Sequence, residues 1–427
     1  MPSLDAIFRA LSQDAVGALV IATAILVLFV VAEVWKRARD VPTEWTRKLT
    51  HLGAGAVVMA FPWLITSPWT CLLLAGAFGG LLVLGKMTGL LSSVHDVERR
   101  TQGAFLYPLA VLGIFVLSEG DPLLFCVPLA IMAVADTGAA LVGKNAQGVR
   151  YRVLDGHRSL EGSLTFFGIA FGIVAAGLAL AGRPGWPEAL LVCLVVATLT
   201  SCVEAVSVRG SDNVLIPYAA WLVLDATLAL GLEALQPWVL GMLYTLVILA
   251  ATWKKADLTV AGGLTVFLLG SLSYAAGGWT WLLPPTAIYA MFLVAKVPRG
   301  EADIDDVFAT ASGSMVITLF FVHTGAERLV MPFLVTLSAS GAILARQLVK
   351  NHAARRAGEG PLSFMAMPIG AVVPLLPSIG NWEPWSVVMV GGMLGVLIFG
   401  LIERARFRGR RLVASLTVGA LAWLALG

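Results

Sequence analysis

The chain has 427 residues, of which 58% are hydrophobic and 13% are charged, and its mean hydropathy is +0.87. Soluble globular proteins carry about 25% charged residues, so this composition excludes that class and predicts an all-α protein that crosses the membrane many times. A net charge of +3 is too small to indicate a nucleic-acid partner.

Apolar runs predict about sixteen transmembrane segments. Several are shorter than the roughly 20 residues that a helix needs to cross a bilayer, so some are expected to be re-entrant or to extend into loops. In chain order the segments lie at 14–34, 52–66, 69–85, 104–119, 122–143, 162–182, 188–207, 213–233, 237–252, 261–276, 280–295, 311–324, 329–348, 363–378, 386–402 and 412–426.

The distribution of positive charge predicts which side of the membrane each connection faces. Of the 29 Lys and Arg residues, 26 lie in the connections that follow odd-numbered segments, and only Arg9, Arg183 and Arg328 lie elsewhere. Cytoplasmic connections carry the excess of Lys and Arg. These connections are therefore expected in the cytoplasm, with both termini outside.

Unusual polar residues in the first half collect at the predicted cytoplasmic ends of its segments. Asp136 stands out because it lies well inside the apolar run LFCVPLAIMAVADTGAALVGKN (124–145). A charge within a bilayer is costly, so it usually faces a cavity or a partner and marks a functional site. The structural alternative is a helix–helix hydrogen bond, or an ion pair with Arg99 or Arg100.

Three acids, Asp136, Glu204 and Asp212, are expected at one membrane depth. Oxygen ligands of this kind suit Mg²⁺, and nearby cations such as Lys144 and Arg158 suit a transferring phosphoryl group. In the connection 144–163, Ser159 could instead cap the next helix, with Glu161 placed against the helix dipole. The chain contains no GxxxxGK[ST] motif, which excludes that nucleotide-binding loop.

The two halves of the chain resemble each other. Eight segments per copy is an even number, so both copies would share one orientation. The second copy has Ser340 in place of Asp136 and lacks a counterpart of HRSLEGS (157–163). We predict a catalytic membrane domain at 1–233 and a degenerate repeat at 238–427. The matching positions, each pair 210 residues apart, are Gly53 and Gly263, Lys86 and Lys296, and Gly103 and Gly313.

At its polar elements the sequence resembles the membrane-embedded polyprenol kinase family, which includes dolichol kinases and phytol kinases. The second half faintly resembles an uncharacterised membrane family that includes phytyl phosphate kinases. The elements of the first half occur in the family's order: RKLTHLG (47–53), RRTQGAFLYPLA (99–110), ADTGAALVGK (135–144), HRSLEGSLTFF (157–167) and VEAVSVRGSDNVLIP (203–217).

The resemblance implies a kinase that phosphorylates the hydroxyl of an isoprenoid alcohol with CTP, or another nucleoside triphosphate, and a divalent metal such as Mg²⁺. The predicted catalytic residues are Asp136, Arg158 and Glu161. The predicted nucleotide ligands are Lys144, Arg158, Ser159, Gly162 and Ser163. The predicted metal ligands are Asp136, Glu204 and Asp212. Further substrate contacts are predicted at Lys48, His51, Arg100 and Asn213.

Two alternatives remain open on the sequence alone. One is a cytidylyltransferase that forms a CDP-activated lipid and releases pyrophosphate. The other is a transporter without enzymatic activity, as many spans and an internal repeat would allow. The polar residues are predicted at the cytoplasmic rim rather than at the bilayer midplane, which disfavours a transporter.

Overall fold

A computed structural model gives the architecture, which is mostly helical. It describes residues 3–39, 42–88, 103–153, 156–183, 185–207, 210–256 and 258–294, and in addition Met315, Thr318, Phe333, Leu334 and Leu337. Seven helices in these ranges are long and apolar enough to cross a membrane, so the chain is an integral membrane protein. Predictions for Arg100, Ser340 and the last five segments fall outside the described residues.

The helices and strands follow one another with short connections. The first group is α1 (Leu4–Gln13), α2 (Ala15–Arg39), α3 (Thr43–Val58), α4 (Phe61–Leu64), α5 (Pro68–Thr88), α6 (Gly103–Leu117) and α7 (Pro122–Ala130). A π-helical turn (Ile131–Ala135), α8 (Asp136–Asn145), β1 (Arg150–Val153) and β2 (Gly156–Ser159) come next. The last group is α9 (Leu160–Ala181), α10 (Trp186–Val206), α11 (Asp212–Leu228), α12 (Leu232–Ala256), α13 (Val260–Gly277) and α14 (Trp279–Val294).

The first eleven predicted segments all overlap helices, but two details differ from the prediction. Segment 52–66 is not one span, because α3 ends at Val58 and α4 begins at Phe61. Pro62 explains the break, since proline lacks the N–H that would continue the hydrogen-bond ladder. The connection before α9 is also not plain loop, since β1 and β2 pair there as a two-stranded sheet.

The chain divides into two compact units. One contains Met1–Tyr151 and Asp155–Ala229, and the other contains Arg152–Leu154 and Leu230–Gly427. In the second unit α12 packs against α13, and the hydroxyls of Thr252 and Tyr289 are 2.8 Å apart. That residues 1–233 form a catalytic domain and residues 238–427 a degenerate repeat stays a prediction.

The core of the first unit lies between helices that follow one another in the chain and between α11 and the earlier helices α6 and α7. α10 packs against both α9 and α11, and α6 packs against α5 and α11. Three aromatic rings pack together with centroids 5.8–6.4 Å apart: Phe61 stacks on Phe125, and Phe115 meets both rings edge-on. Phe125 and Phe166 are fully buried. This packing holds the ends of α8, α9, α10 and α11 in one region.

A buried carboxylate ties the start of α2 to the start of α5. Asp14, only 3% exposed, accepts hydrogen bonds from the N–H groups of Thr66 and Ser67 at 2.9–3.1 Å. The Thr66 hydroxyl donates another at 2.8 Å. These donors lie just before α5, where backbone N–H groups lack helical partners. Asp14 therefore acts as a cap supplied by a distant part of the chain.

Asp14→Ala should destabilise the protein by about 3 kcal/mol, because it leaves the N–H of buried Ser67 and the N–H and hydroxyl of Thr66 without their acceptor. Thermal unfolding in detergent, followed by circular dichroism, would measure the loss. The matched control is Asp5→Ala, which removes an exposed carboxylate from α1. Equal melting temperatures for the two variants would contradict the capping role.

Candidate active site

A π-helical turn directly precedes Asp136. The span Pro122–Asn145 runs through α7, the turn Ile131–Ala135 and α8, and Asp136 is the first residue after the turn. The widened turn exposes the Met132 carbonyl to a second helix, and His51 Nε2 on α3 lies 3.2 Å from that oxygen. Such turns are frequent at functional sites. Asp136 thus starts a new helical segment whose orientation a neighbouring helix supports.

Helix α3 brings cations to Asp136. An added Cβ at Gly55 would lie 2.5 Å from Ala133 Cβ, so α3 and the π-helical turn are in close contact. Arg47 pairs with Glu44 at 3.0 Å, and Lys48 lies 3.8 Å from the same carboxylate. Burial lowers the pKa of Lys48, against the opposing pull of Asp136 and Glu44. Because Arg47 and Lys48 lie on a helix rather than in a loop, their positions along the helix axis relative to Asp136 are fixed.

The β1–β2 hairpin leads directly into α9. Ser159 caps this helix, since its hydroxyl accepts a 3.1 Å hydrogen bond from Gly162 N–H, as the capping alternative predicted. Gly162 lies where α9 crosses α8, and a Cβ there would be 3.1 Å from the Ala139 carbonyl oxygen. The Ser163 hydroxyl hydrogen-bonds with that of Tyr151. Three predicted nucleotide ligands therefore have structural roles that place Arg158 next to α9.

Arg158 forms an ion pair with Glu204 near the end of α10. Its Nη1 lies 2.9 Å from Glu204 Oε1, and its Nη2 lies 3.5 Å from the Glu204 carbonyl oxygen. Glu204 is only 3% exposed, whereas the Arg158 side chain is 31% exposed. Burial acts to lower the pKa of Arg158, but attraction to Glu204, Asp136 and Asp212 outweighs it and raises that pKa. Arg158 is thus the cation that all three predicted acids surround.

Asp136 and Asp212 lie close enough to interact electrostatically. The two carboxylates repel, and His51 and Arg158 attract Asp212. Within the described ranges neither carboxylate has an ion-pair partner, and no three His, Cys, Asp or Glu side chains form a group that could hold a metal. Arg158 pairs with Glu204, and a metal-binding role for Glu204 stays a prediction. Two carboxylates still suit Mg²⁺, which in nucleotide sites often takes one or two plus phosphate oxygens.

The remaining predicted residues lie around this cluster. Lys144 is exposed at the end of α8 and interacts electrostatically with Glu44 and Lys48. Glu161 has a buried Oε2 with no hydrogen-bond partner among the described residues, and its carboxylate abuts Gly148. Asn213 packs against Gly103 at the start of α6, where a Cβ would lie 2.7 Å from Asn213 Nδ2. None of these contacts assigns a ligand by itself.

Sequence reasoning missed Tyr107, Tyr151 and the π-helical turn. Tyr107 lies within the quoted element RRTQGAFLYPLA but received no role. Its signal was that it is the only residue with a polar side chain in α6. Tyr151 and the π-helical turn offered no such signal, because their roles depend on contacts with Ser163 and His51.

The polar cluster therefore combines residues from α3, α8, β2, α10 and α11. The N-terminal ends of α3 and α11 and the C-terminal end of α10 contribute to this one region. A known protein matches the chain: over 207 residues it is 32% identical to the phytol kinase of Synechocystis sp.. The match covers 45% of this chain and 83% of that relative. The chain belongs to the phytol kinase family. No family model and no solved structure matches it.

Membership of the phytol kinase family confirms the predicted resemblance for part of the chain. It gives no support to the resemblance predicted for the second half. Membership also gives the polar cluster a context, since phytol kinase relatives are named for phosphorylating an alcohol.

Proposed function

We propose that this protein is a kinase that transfers the γ-phosphoryl group of a nucleoside triphosphate to the hydroxyl of an isoprenoid alcohol. The acceptor would be phytol, geranylgeraniol or a longer polyprenol, and the donor CTP. The observation that carries the proposal is the Arg158–Glu204 pair at 2.9 Å, surrounded by Asp136 and Asp212 at the ends of apolar helices. Membership of the phytol kinase family supports an alcohol as the acceptor.

The proposal places the site on the cytoplasmic face. Nucleotides are supplied there, and 26 of the 29 Lys and Arg residues lie in connections assigned to that side. An isoprenoid alcohol would reach the same site from the bilayer, with its hydroxyl at the rim and its hydrocarbon chain between helices. A site at the ends of apolar helices suits both substrates.

Three cations would bind the phosphates. Arg158 uses part of its guanidinium for Glu204 and keeps further N–H donors for phosphate oxygens. Lys48 and Lys144 lie on α3 and α8, on the side of Asp136 toward the helix ends. Phosphoryl transfer depends mainly on positioning and charge stabilisation, and these residues supply both.

Asp136 and Asp212 are the residues that would hold Mg²⁺. Their mutual repulsion falls when a cation lies between them, so the pair fits a divalent ion in chemistry. When bound, the ion would neutralise charge on the phosphates. Glu204 is held by Arg158 and would orient that side chain instead of binding the metal.

The reaction forms one bond and breaks one. The alcohol oxygen bonds to the γ-phosphorus, the bond from that phosphorus to the β–γ bridging oxygen breaks, and a nucleoside diphosphate leaves. The alcohol proton passes to a base or to water. Glu161, whose buried Oε2 has no hydrogen-bond partner among the described residues, is the candidate either to accept that proton or to hold the hairpin in position.

The test is phosphate transfer by the purified full chain in detergent micelles. CTP, ATP, GTP or UTP labelled at the γ-phosphate is supplied with Mg²⁺ and a panel of phytol, geranylgeraniol, farnesol and longer polyprenols. We expect label on the lipid, with CTP the best donor.

Two other results would overturn the proposal. Release of pyrophosphate from CTP with a lipid phosphate, and no labelled alcohol, would indicate a cytidylyltransferase. Nucleotide-independent substrate flux in liposomes, with neither reaction detected, would indicate a transporter.

A further inference from the structure

The hydroxyl of Tyr107 is buried and has no hydrogen-bond partner among the described residues. It belongs to α6, whose other residues are apolar, glycine or proline. A buried hydroxyl without a partner costs free energy, and a phenylalanine would fill the same space without that cost. The described residues therefore do not explain why this position carries a hydroxyl group.

The surroundings of this hydroxyl are small and partly polar. The Tyr107 ring meets the His51 ring edge-on, with centroids 5.5 Å apart. Gly55 faces the hydroxyl, and a Cβ added there would lie 3.7 Å from the Tyr107 oxygen. The absence of a side chain at Gly55 leaves the hydroxyl beside backbone and the small side chain of Ala133.

The proton on His51 can be placed from its contact. Nε2 lies 3.2 Å from the Met132 carbonyl oxygen, which can only accept, so Nε2 carries the proton and donates it. His51 is held by the π-helical turn and in turn supports the Tyr107 ring.

Two helices place this pair deeper than the charged cluster. On α8 and the turn before it, Met132 precedes Asp136 by about one helical turn, or roughly 6 Å along the axis. On α3, His51 follows Lys48 by about one turn in the same sense. Tyr107 and His51 therefore lie on the membrane side of the residues assigned to phosphate and metal.

We propose that Tyr107 binds the hydroxyl of the isoprenoid alcohol, with His51 as the positioning residue that orients the tyrosine ring. The inference rests on the proposed kinase function and names its acceptor subsite. A neutral hydroxyl is the ligand that suits the Tyr107 hydroxyl, which has no partner among the described residues, whereas phosphate oxygens suit the cations one turn away. The alcohol oxygen would lie about one helical turn to the membrane side of Asp136, with its hydrocarbon chain among the apolar helices.

Tyr107→Phe tests this assignment by removing one oxygen atom. We expect KM for geranylgeraniol to rise about tenfold, because one hydrogen bond to the substrate is lost, while KM for the nucleotide stays unchanged. Without alcohol, the variant should melt at the same temperature as the wild type or higher, since the lost hydroxyl has no hydrogen-bond partner in the part of the chain that the structure describes. Geranylgeraniol should also raise the melting temperature less in the variant than in the wild type.

Tyr218→Phe is the matched control. Tyr218 lies on α11, and its hydroxyl abuts Gly113 on α6. The substitution therefore removes a tyrosine oxygen next to the helix that carries Tyr107, but away from His51. Its KM for geranylgeraniol should equal that of the wild type.

The inference is overturned if Tyr107→Phe keeps the wild-type KM for the alcohol, or if it melts lower in the absence of alcohol, as a structural hydrogen bond would require. A wild-type protein that phosphorylates no alcohol would overturn the kinase function, and the inference too unless geranylgeraniol still raised the melting temperature of the wild type more than that of Tyr107→Phe. The alcohol-induced shift in melting temperature separates the two failures, because it measures alcohol binding without nucleotide.

Discussion

Asp136→Asn should reduce lipid phosphorylation by about a thousandfold, a loss typical for one precisely placed group that stabilises transition-state charge. The substitution keeps the shape of the side chain but removes the charge that faces Asp212, Arg158 and Lys48. Initial rates with labelled nucleotide and geranylgeraniol would measure the effect.

The melting temperature of this variant is equally informative. Asp136 and Asp212 repel each other, so Asp136→Asn should melt at the wild-type temperature or above it when metal is absent. Asp121→Asn, at the opposite end of the same span, is the control. Asparagine can still cap α7, and activity should stay within about twofold of wild type.

Two results would refute the assigned role of Asp136. Activity above a tenth of wild type would show that the carboxylate takes no part in the reaction. A large drop in melting temperature, together with lost activity, would show that Asp136 serves as a structural ion-pair partner, as the alternative from the sequence holds.

Arg158→Met should have the second large effect, on stability as well as activity. It leaves the Glu204 carboxylate, 3% exposed, without its cation. Removing one partner of a buried pair destabilises proteins by about 3–5 kcal/mol, because the other charge stays buried. Unfolding in detergent and initial rates should both report the loss.

The double variant Arg158→Met with Glu204→Gln separates the two roles of Arg158. Glutamine removes the buried charge, so stability should return to near the wild-type value. Activity should stay lost, because no guanidinium remains for the phosphates. Recovered activity in the double variant would mean that Arg158 only neutralises Glu204 and does not contact the nucleotide.

The position of the candidate site was predictable because charge in an apolar chain is rare. Asp136, Glu204 and Asp212 stood out against their surroundings, and the Lys and Arg distribution placed them at one membrane face. The structure does bring them within electrostatic reach of one another and of Arg158.

The pairing inside the cluster was not predictable. Arg158 and Glu204 are 46 residues apart, and nothing in the sequence selects Glu204 over Asp136 or Asp212 as the partner. The choice follows from the packing of α9 against α10, which puts the end of β2 next to the end of α10. Apolar composition predicts that these helices exist, but it does not give their relative rotation.

The boundaries of α3 show a similar limit. The apolar run alone predicted a span at 52–66, yet the helix begins at Thr43 and includes Arg47, Lys48 and His51. Glu44 stabilises this polar start through Arg47 and Lys48, one helical turn away. Hydropathy marks the apolar part of a helix and misses a polar end held by ion pairs.

The π-helical turn before Asp136 divides one membrane span into two segments of different phase. A single extra residue rotates everything that follows by about 100° around the helix axis relative to an unbroken helix. α7 can therefore direct Phe125 and Leu129 into the core while α8 directs Asp136 toward the cations, although both belong to one rod. The packing of α7 in the core and the direction of the Asp136 carboxylate on α8 are therefore set by separate helical segments. A substitution can change one of them without rotating the other segment.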